Sequence, residues 1–170
     1  MSVLKKIIQI FSLISINTMA IANPQVGDRA PDFNLLDQNS KNHSLSDYEG
    51  KWLVVFFYPK AGTPGCTTEV CEFRDNIFSF DDIGVNLVGV SVDSVKSQKE
   101  FSDKYHLPFP LLSDSKKEMA GIYGVLGKVF GVASRQSFII NPDGVIAKHY
   151  QKVSPSTHTE EVLEDLKSMM

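Results

Sequence analysis

A continuous apolar run at residues 52–58 and a second, mostly apolar segment at residues 85–92 are the most regular features of the chain. Runs of this length between turn residues are typical of strands that are covered on both faces inside an α/β sheet. Further along the chain, strand-like segments at residues 136–141 and 145–150 flank Pro-Asp-Gly at 142–144. That turn sequence predicts a β-hairpin.

Apolar residues at helical spacing follow the first run. After a Pro/Gly-rich turn at residues 59–65, four apolar positions separated by 3, 4 and 3 residues predict one helix through about Phe80. These positions are Val70, Phe73, Ile77 and Phe80. Three more helices are predicted, at residues 94–105 with Ser94 as N-cap, at residues 116–123, and at residues 157–170 with Thr157 or Thr159 as N-cap.

A polar tip at residues 37–40, between strand-like segments 33–36 and 41–45, predicts an N-terminal hairpin, and residues 107–112 supply at most a short strand. Two successive β-α units predict parallel strands, to which the late hairpin adds antiparallel ones. The sequence therefore predicts one α/β domain over residues 23–170, with a mixed central sheet covered by helices on both faces. The ordinary balance of 42% hydrophobic and 22% charged residues excludes a fibre, a disordered chain and a polytopic membrane protein.

The first 22 residues differ from the rest of the chain. Lys5 and Lys6 precede a mostly apolar run at residues 7–21, and Ala-Ile-Ala at 20–22 places small residues where a signal peptidase cleaves. This pattern predicts a signal peptide over residues 1–22 and export, with the periplasm as the expected compartment. An uncleaved anchor is the alternative, but the run is short and is interrupted by polar residues, which disfavours a stable membrane span. Without a functional signal, the protein would be cytoplasmic.

The charge pattern and the spacing of the histidines bear on two kinds of ligand, nucleic acids and metal ions. The net charge is −3 and no stretch is dense in lysine or arginine, so nucleic-acid binding is not expected. The four histidines show no metal-ligand spacing, and no metal or other cofactor is expected. They are His43, His106, His149 and His158.

Cys66 is the candidate reactive residue, because it follows the Pro/Gly turn at the predicted start of a helix. Free N–H groups and the positive end of a helix stabilise a thiolate at such a position. Gly62 and Gly65 allow a small substrate to approach the backbone closely. The hydroxyl of Thr63, three residues before Cys66, is placed to polarise a bound oxygen.

Cys71, the second of two cysteines, lies five residues after Cys66. On an ideal helix this spacing separates the side chains by about 140° and the Cα atoms by roughly 8–9 Å. A disulfide needs Cα atoms closer than about 7 Å, so a bridge here requires the helix to unwind. Two cysteines in an exported protein usually indicate one static structural disulfide. Here the spacing instead favours a redox pair that forms a disulfide only transiently.

The residues around Cys66 resemble the active-site motif of peroxiredoxins. Pro59-x-x-x-Thr63-x-x-Cys66 matches the P-x-x-x-T-x-x-C pattern of that family. The sequence from Thr63 to Thr67 followed by Cys71 is similar to the bacterioferritin comigratory protein or peroxiredoxin Q branch. Residues 73–75, 111–114, 123–125 and 135–138 extend the likeness over nearly the whole chain from about Val26.

The resemblance implies a thioredoxin-like fold and a role for six residues. It implies that Cys66 attacks the peroxide and that Cys71 resolves the resulting sulfenic acid as a disulfide. Thr63 corresponds to the hydroxyl that orients the peroxide, and Pro59 to the proline that shields the pocket. Arg135 corresponds to the arginine that stabilises the thiolate and the charge developing on oxygen. Glu69 corresponds to the residue that orients this arginine.

The expected activity is therefore a thiol peroxidase that acts in antioxidant defence. The resemblance implies hydrogen peroxide and organic hydroperoxides as substrates and thioredoxin, or a similar donor, as reductant. Resolution within one chain favours a monomer, without stable membrane association. Alternatives from other classes are an exported copper-binding assembly protein, a C-x-x-C disulfide reductase and a purely structural domain. Four residues separate the two cysteines, which fits neither the copper proteins nor C-x-x-C, and a structural domain leaves the motif unexplained.

Overall fold

The computed structural model describes residues 23–170, so the predicted signal peptide at residues 1–22 lies outside the described residues. Within this range the strands are β1 (Asn34–Leu36), β2 (Asn42–Ser44), β3 (Trp52–Phe57), β4 (Val85–Ser91), β5 (Leu111–Ser113), β6 (Gln136–Ile140) and β7 (Ile146–Tyr150). The helices are α1 (Pro64–Asp75), α2 (Ile77–Asp82), α3 (Val95–Tyr105), α4 (Glu118–Ile122) and α5 (His158–Met169), and a 3-10 turn spans Leu45–Tyr48.

The central sheet has the strand order β5-β4-β3-β6-β7. β3 pairs in parallel with β4, and β4 with β5, whereas β6 is antiparallel to both β3 and β7. β1 and β2 form a separate antiparallel hairpin. The predicted mixed sheet, its parallel β3–β4 pair and the hairpin near the N-terminus are thus confirmed.

The side chains of β3 divide the core into two layers, because successive residues of a strand point to opposite faces. Val54 and Phe56 belong to the layer under α1, α3 and α5, where the rings of Phe56 and Phe73 lie 4.7 Å apart. Val55 and Phe57 belong to the layer formed with α4 and the N-terminal segment. Helices therefore cover both faces of the sheet, and the apolar run of β3 is explained by burial on both sides.

The predicted single helix through Phe80 is wrong, because α1 ends at Asp75 and α2 begins at Ile77. Asn76 between them has φ −105° and ψ 11°, and its side-chain amide donates to the carbonyl oxygen of Glu72 at 2.9 Å. Asparagine competes in this way for backbone groups that a continuing helix uses. The predicted N-cap of α3 is confirmed, since Ser94 Oγ accepts from the backbone N–H of Ser97 at 3.2 Å.

Among residues 23–170, no helix combines the length and the apolar character needed to cross a membrane.

Candidate active site

The register between β3 and β6 brings together parts of the chain that are distant in sequence. Phe57, the last residue of β3, pairs with Gln136, the first residue of β6. At the carboxyl end of β3 the chain continues through the Pro59 turn into α1. Arg135 directly precedes β6, whose amino end lies beside the carboxyl end of β3. The antiparallel pairing therefore places Arg135 beside the first turn of α1.

Cys66 is the third residue of α1, after the N-cap Thr63 and Pro64 at the first helical position. Proline is favoured there because its missing N–H is not needed and its φ already suits a helix. The Cys66 side chain is fully buried, and Arg135 Nη2 donates to its sulfur at 3.3 Å. The sulfur therefore lies at a helix N-terminus and accepts a hydrogen bond from a cationic side chain.

Glu69, one turn after Cys66 on α1, is fully buried and forms an ion pair with the other end of the same guanidinium. Arg135 Nη1 donates to Glu69 Oε2, while Glu69 Oε1 finds no hydrogen-bond partner among the described residues. Burial raises the pKa of Glu69 to about 7, although the charge of Arg135 and its hydrogen bond act in the opposite direction. The pair orients Arg135 so that its free edge faces the sulfur.

Gly65 leaves room for this guanidinium. A Cβ atom at residue 65 would lie 3.2 Å from Arg135 Nη2 and 3.7 Å from Pro155 Cγ. The first of these distances is shorter than ordinary van der Waals contact. In the structure the Arg135 side chain lies against Gly65, and the predicted close approach of a substrate to this backbone stays a prediction.

The turn before α1 is fixed by Asp93, a residue that was not predicted from the sequence. Asp93 Oδ2 accepts from the backbone N–H of Ala61 at 2.8 Å and from Ser91 Oγ at 2.7 Å. Asp93 follows β4, whose carboxyl end lies beside that of β3 because the two strands are parallel. A polar residue at the carboxyl end of a buried parallel strand is a signal that points to such a site.

The two remaining motif residues lie in or beside the same turn. Pro59 is half-buried directly after Tyr58, and the Thr63 hydroxyl donates to the carbonyl oxygen of Lys60 at 2.9 Å. Gly62 has φ +78°, which favours glycine and explains that residue in the turn. The predicted roles of Pro59 and Thr63 toward a peroxide stay predictions.

Cys71 lies on the same helix as Cys66, is half-buried, and packs against the core layer under α1. Both cysteines are free thiols. Five residues along a regular helix keep the two Cα atoms roughly 8–9 Å apart, which is too far for a disulfide. In this conformation the two cysteines therefore cannot bridge without a rearrangement of α1.

Within residues 23–170, no cluster of three or more His, Cys, Asp or Glu side chains is arranged to hold a metal ion. The chemistry of the site comes from a buried thiol, a guanidinium and a carboxyl group. A mixed sheet of thioredoxin-like type that sets an arginine-bonded thiol at a helix N-terminus defines a thiol-dependent oxidoreductase.

Comparison with known proteins narrows this class. The AhpC/TSA family profile matches residues 26–149. Peroxiredoxin Bcp of Bacillus subtilis is 39% identical over 151 residues, which cover 85% of this chain and 96% of that protein. The chain belongs to the AhpC/TSA family, among the peroxiredoxins of the Bcp and peroxiredoxin Q type, and it is a peroxidase of that family.

Solved structures agree in fold. A serine mutant of PrxQ from Xylella fastidiosa is 35% identical with a TM-score of 0.82, covering 87% of this chain and 98% of that one. The bacterioferritin comigratory protein of Xanthomonas campestris, studied for its alkyl peroxide reduction activity, is 34% identical with a TM-score of 0.77. That match covers 81% of this chain and 91% of the Xanthomonas protein.

Proposed function

We propose that this protein reduces hydrogen peroxide and organic hydroperoxides to water and alcohols, with Cys66 as the attacking residue, and thereby acts in antioxidant defence. The observation that carries the proposal is the hydrogen bond from Arg135 Nη2 to the buried Cys66 sulfur at 3.3 Å. The alkyl peroxide reduction activity described for the Xanthomonas protein supports the same substrate class.

In the proposed first step, the Cys66 thiolate attacks the terminal oxygen of the peroxide. The O–O bond breaks, sulfur is oxidised to a sulfenic acid, and the other oxygen leaves as water or alcohol after taking up a proton. Arg135 stabilises the negative charge as it moves from sulfur to the leaving oxygen. Thr63 orients the peroxide and Pro59 shields the pocket.

In the second step, the Cys71 thiol condenses with the sulfenic acid, an S–S bond forms, and water leaves. Since both cysteines lie on α1, this step requires the first turns of the helix to unwind. An external dithiol of the thioredoxin type then reduces the disulfide and is itself oxidised to a disulfide.

A coupled assay tests this cycle. Purified residues 23–170 would be mixed with hydrogen peroxide or an alkyl hydroperoxide, thioredoxin, thioredoxin reductase and NADPH. We expect turnover that disappears in Cys66→Ser, whereas Cys71→Ser reacts once and accumulates a sulfenic acid that a dimedone probe traps. Full turnover by Cys66→Ser would refute the assignment of the attacking residue. Stoichiometric copper retention without peroxide consumption would refute the peroxidase.

We further propose that residues 1–22 are a cleaved signal peptide and that the mature protein works in the periplasm as a monomer, without stable membrane association. A donor of the thioredoxin type in the same compartment would then recycle it. Cell fractionation combined with N-terminal sequencing checks the export, and light scattering of the reduced and oxidised forms checks the monomer. Uncleaved protein in the cytoplasm, or a dimer in both forms, would contradict these proposals.

A further inference from the structure

His158, the first residue of α5, is fully buried next to the active site but has no part in the chemistry described above. Its Nε2 lies in hydrogen-bond contact with Ser137 Oγ at 2.8 Å, and its Nδ1 has no partner among the described residues. Ser137 follows Arg135 by two residues. The imidazole thus ties the start of α5 to β6 beside the arginine that contacts Cys66.

Two aromatic contacts tie the same imidazole to α1 and β7. Phe73 of α1 meets His158 edge to face, with ring centroids 5.8 Å apart and an interplanar angle of 84°. Tyr150 of β7 meets it at 4.9 Å and 81°. Edge-to-face pairs of this kind are favourable contacts with a defined geometry. Phe73 lies one turn after Glu69, so His158 packs against the helix that carries both Cys66 and the carboxyl partner of Arg135.

The turn that ends at His158 also lies against the first turn of α1. The carbonyl oxygen of Ser154 accepts from the backbone N–H groups of Thr157 and His158 at 3.1 and 3.0 Å. Within this turn, Pro155 Cγ lies 3.7 Å from the position that a Cβ on Gly65 would take, where Arg135 Nη2 also approaches. Anchoring His158 therefore keeps Pro155 over Gly65, beside the guanidinium.

We propose that His158 is a positioning residue for the peroxidase: its neutral imidazole holds the turn at residues 154–157, α1 and β6 together, and so keeps Arg135 within donating distance of Cys66. The described contacts of His158 are with Ser137, Phe73 and Tyr150 and do not include the Cys66 sulfur. This inference rests on the proposed function of the same site.

The surroundings of His158 favour its neutral form. Burial lowers the pKa of His158 to about 4, and the charge of Arg135 on β6 acts in the same direction. From α1 it faces the uncharged Phe73, with Glu69 engaged by Arg135 one turn away, and from β7 it faces the neutral Tyr150. A protonated imidazole would add a second positive charge near the guanidinium of Arg135.

Rapid mixing of the reduced protein with hydrogen peroxide tests the proposal, with the second-order rate constant of Cys66 oxidation and the pH midpoint of thiolate absorbance as readouts. His158→Phe keeps an aromatic ring but loses the contact with Ser137, and we expect its rate constant to fall about tenfold as Arg135 shifts. The thiolate midpoint is expected to rise in the same variant. His158→Gln, which restores a polar group toward Ser137, is expected to recover part of the rate.

His149→Phe is the matched control, because His149 stacks on Phe138 at 4.1 Å and contacts Gln136 but does not contact α1. It should keep the wild-type rate and midpoint. If His158→Phe does not fold, Ser137→Ala removes the same hydrogen bond without changing α5 and is expected to lower the rate severalfold. A folded variant at the wild-type rate and midpoint, or an equal loss in His149→Phe, would overturn the proposal. A wild-type protein that does not react with peroxide would instead refute the proposed function.

Discussion

Arg135 and Cys66, 69 residues apart in sequence, meet through a hydrogen bond of 3.3 Å from Nη2 to the sulfur. The same guanidinium donates its Nη1–H to Glu69, so a single planar group joins the thiol to a buried carboxyl. Because its two donors lie in one rigid plane, the bond to Glu69 fixes both the orientation of the guanidinium and its distance from the Cys66 sulfur.

Arg135→Lys keeps the positive charge but removes this fork. We expect the rate constant of Cys66 oxidation by peroxide to fall by about 100-fold, which is the usual effect of losing one donor to a developing oxyanion. Rapid mixing measures this rate. Arg74→Lys is the control, because Arg74 also lies on α1 but donates to the carbonyl oxygen of Tyr105. An Arg135→Lys enzyme with the wild-type rate would show that charge alone is sufficient.

Gly65→Ala is expected to displace the guanidinium, because the added methyl group would lie 3.2 Å from Arg135 Nη2. The arginine is held by Glu69 on its other side, so the Cys66 contact is the one that lengthens. We expect about a tenfold lower rate of peroxide reaction with little change in thermal stability. Gly121→Ala, where a Cβ meets nothing within 4 Å, is the control. Equal rates for both variants would contradict this account.

Asp93 fixes the turn that carries Pro59 and Thr63. In the wild type the Ala61 N–H donates to a carboxyl oxygen of Asp93 at 2.8 Å. Asp93→Asn keeps the size of the side chain but offers this N–H a weaker acceptor. We expect a higher KM for peroxide with a smaller change in kcat, since the turn positions the substrate rather than the thiol. Steady-state kinetics with a saturating reductant separates the two. Asp103→Asn, on the exposed face of α3, should leave both constants unchanged.

The layout of the sheet was predictable because β3 and β4 are buried on both faces, and such burial leaves segments of mostly apolar residues in the sequence. Cys66 was found for a related reason, since Pro64 and the glycines around it indicate a turn followed by a helix. Local pattern and local chemistry agree in these segments.

Arg135 was assigned only through the resemblance to peroxiredoxins, because its contact with Cys66 depends on the register between β3 and β6. Registers of this kind join distant segments and leave no periodic signal at a single residue. His158 was missed because its contacts with Ser137, Phe73 and Tyr150 also depend on the tertiary fold. For Asp93, its place after a buried parallel strand was a usable signal that was not applied. The break at Asn76 was missed because the apolar spacing continues across it.

The contribution of Glu69 to the free energy of unfolding depends on pH. Because the folded protein raises its pKa from 4.5 to about 7, the stabilising contribution is complete below pH 4.5 and is lost as the pH rises through 7. The wild type should therefore lose free energy of unfolding relative to Glu69→Gln between about pH 5 and about pH 8, by at most about 3 kcal/mol. Urea unfolding at the two pH values measures this, with Glu72→Gln as the control. A constant difference between the variant and the wild type would contradict the raised pKa.

For His158 we expect the opposite pH dependence, because its contribution to the free energy of unfolding is lost in acid. Its pKa falls from 6.5 in the unfolded chain to about 4 in the folded protein, so its contribution is complete above pH 6.5 and is lost as the pH falls through 4. A tenfold change in proton affinity corresponds to about 1.4 kcal/mol, so at most about 3 kcal/mol depends on pH. The stability advantage of the wild type over His158→Phe should shrink by this amount between about pH 7 and about pH 4 in urea unfolding. His106→Asn, at an exposed position with φ +52° that asparagine tolerates, should show no such change. If the advantage over His158→Phe is the same at both pH values, the imidazole is not held neutral by the fold.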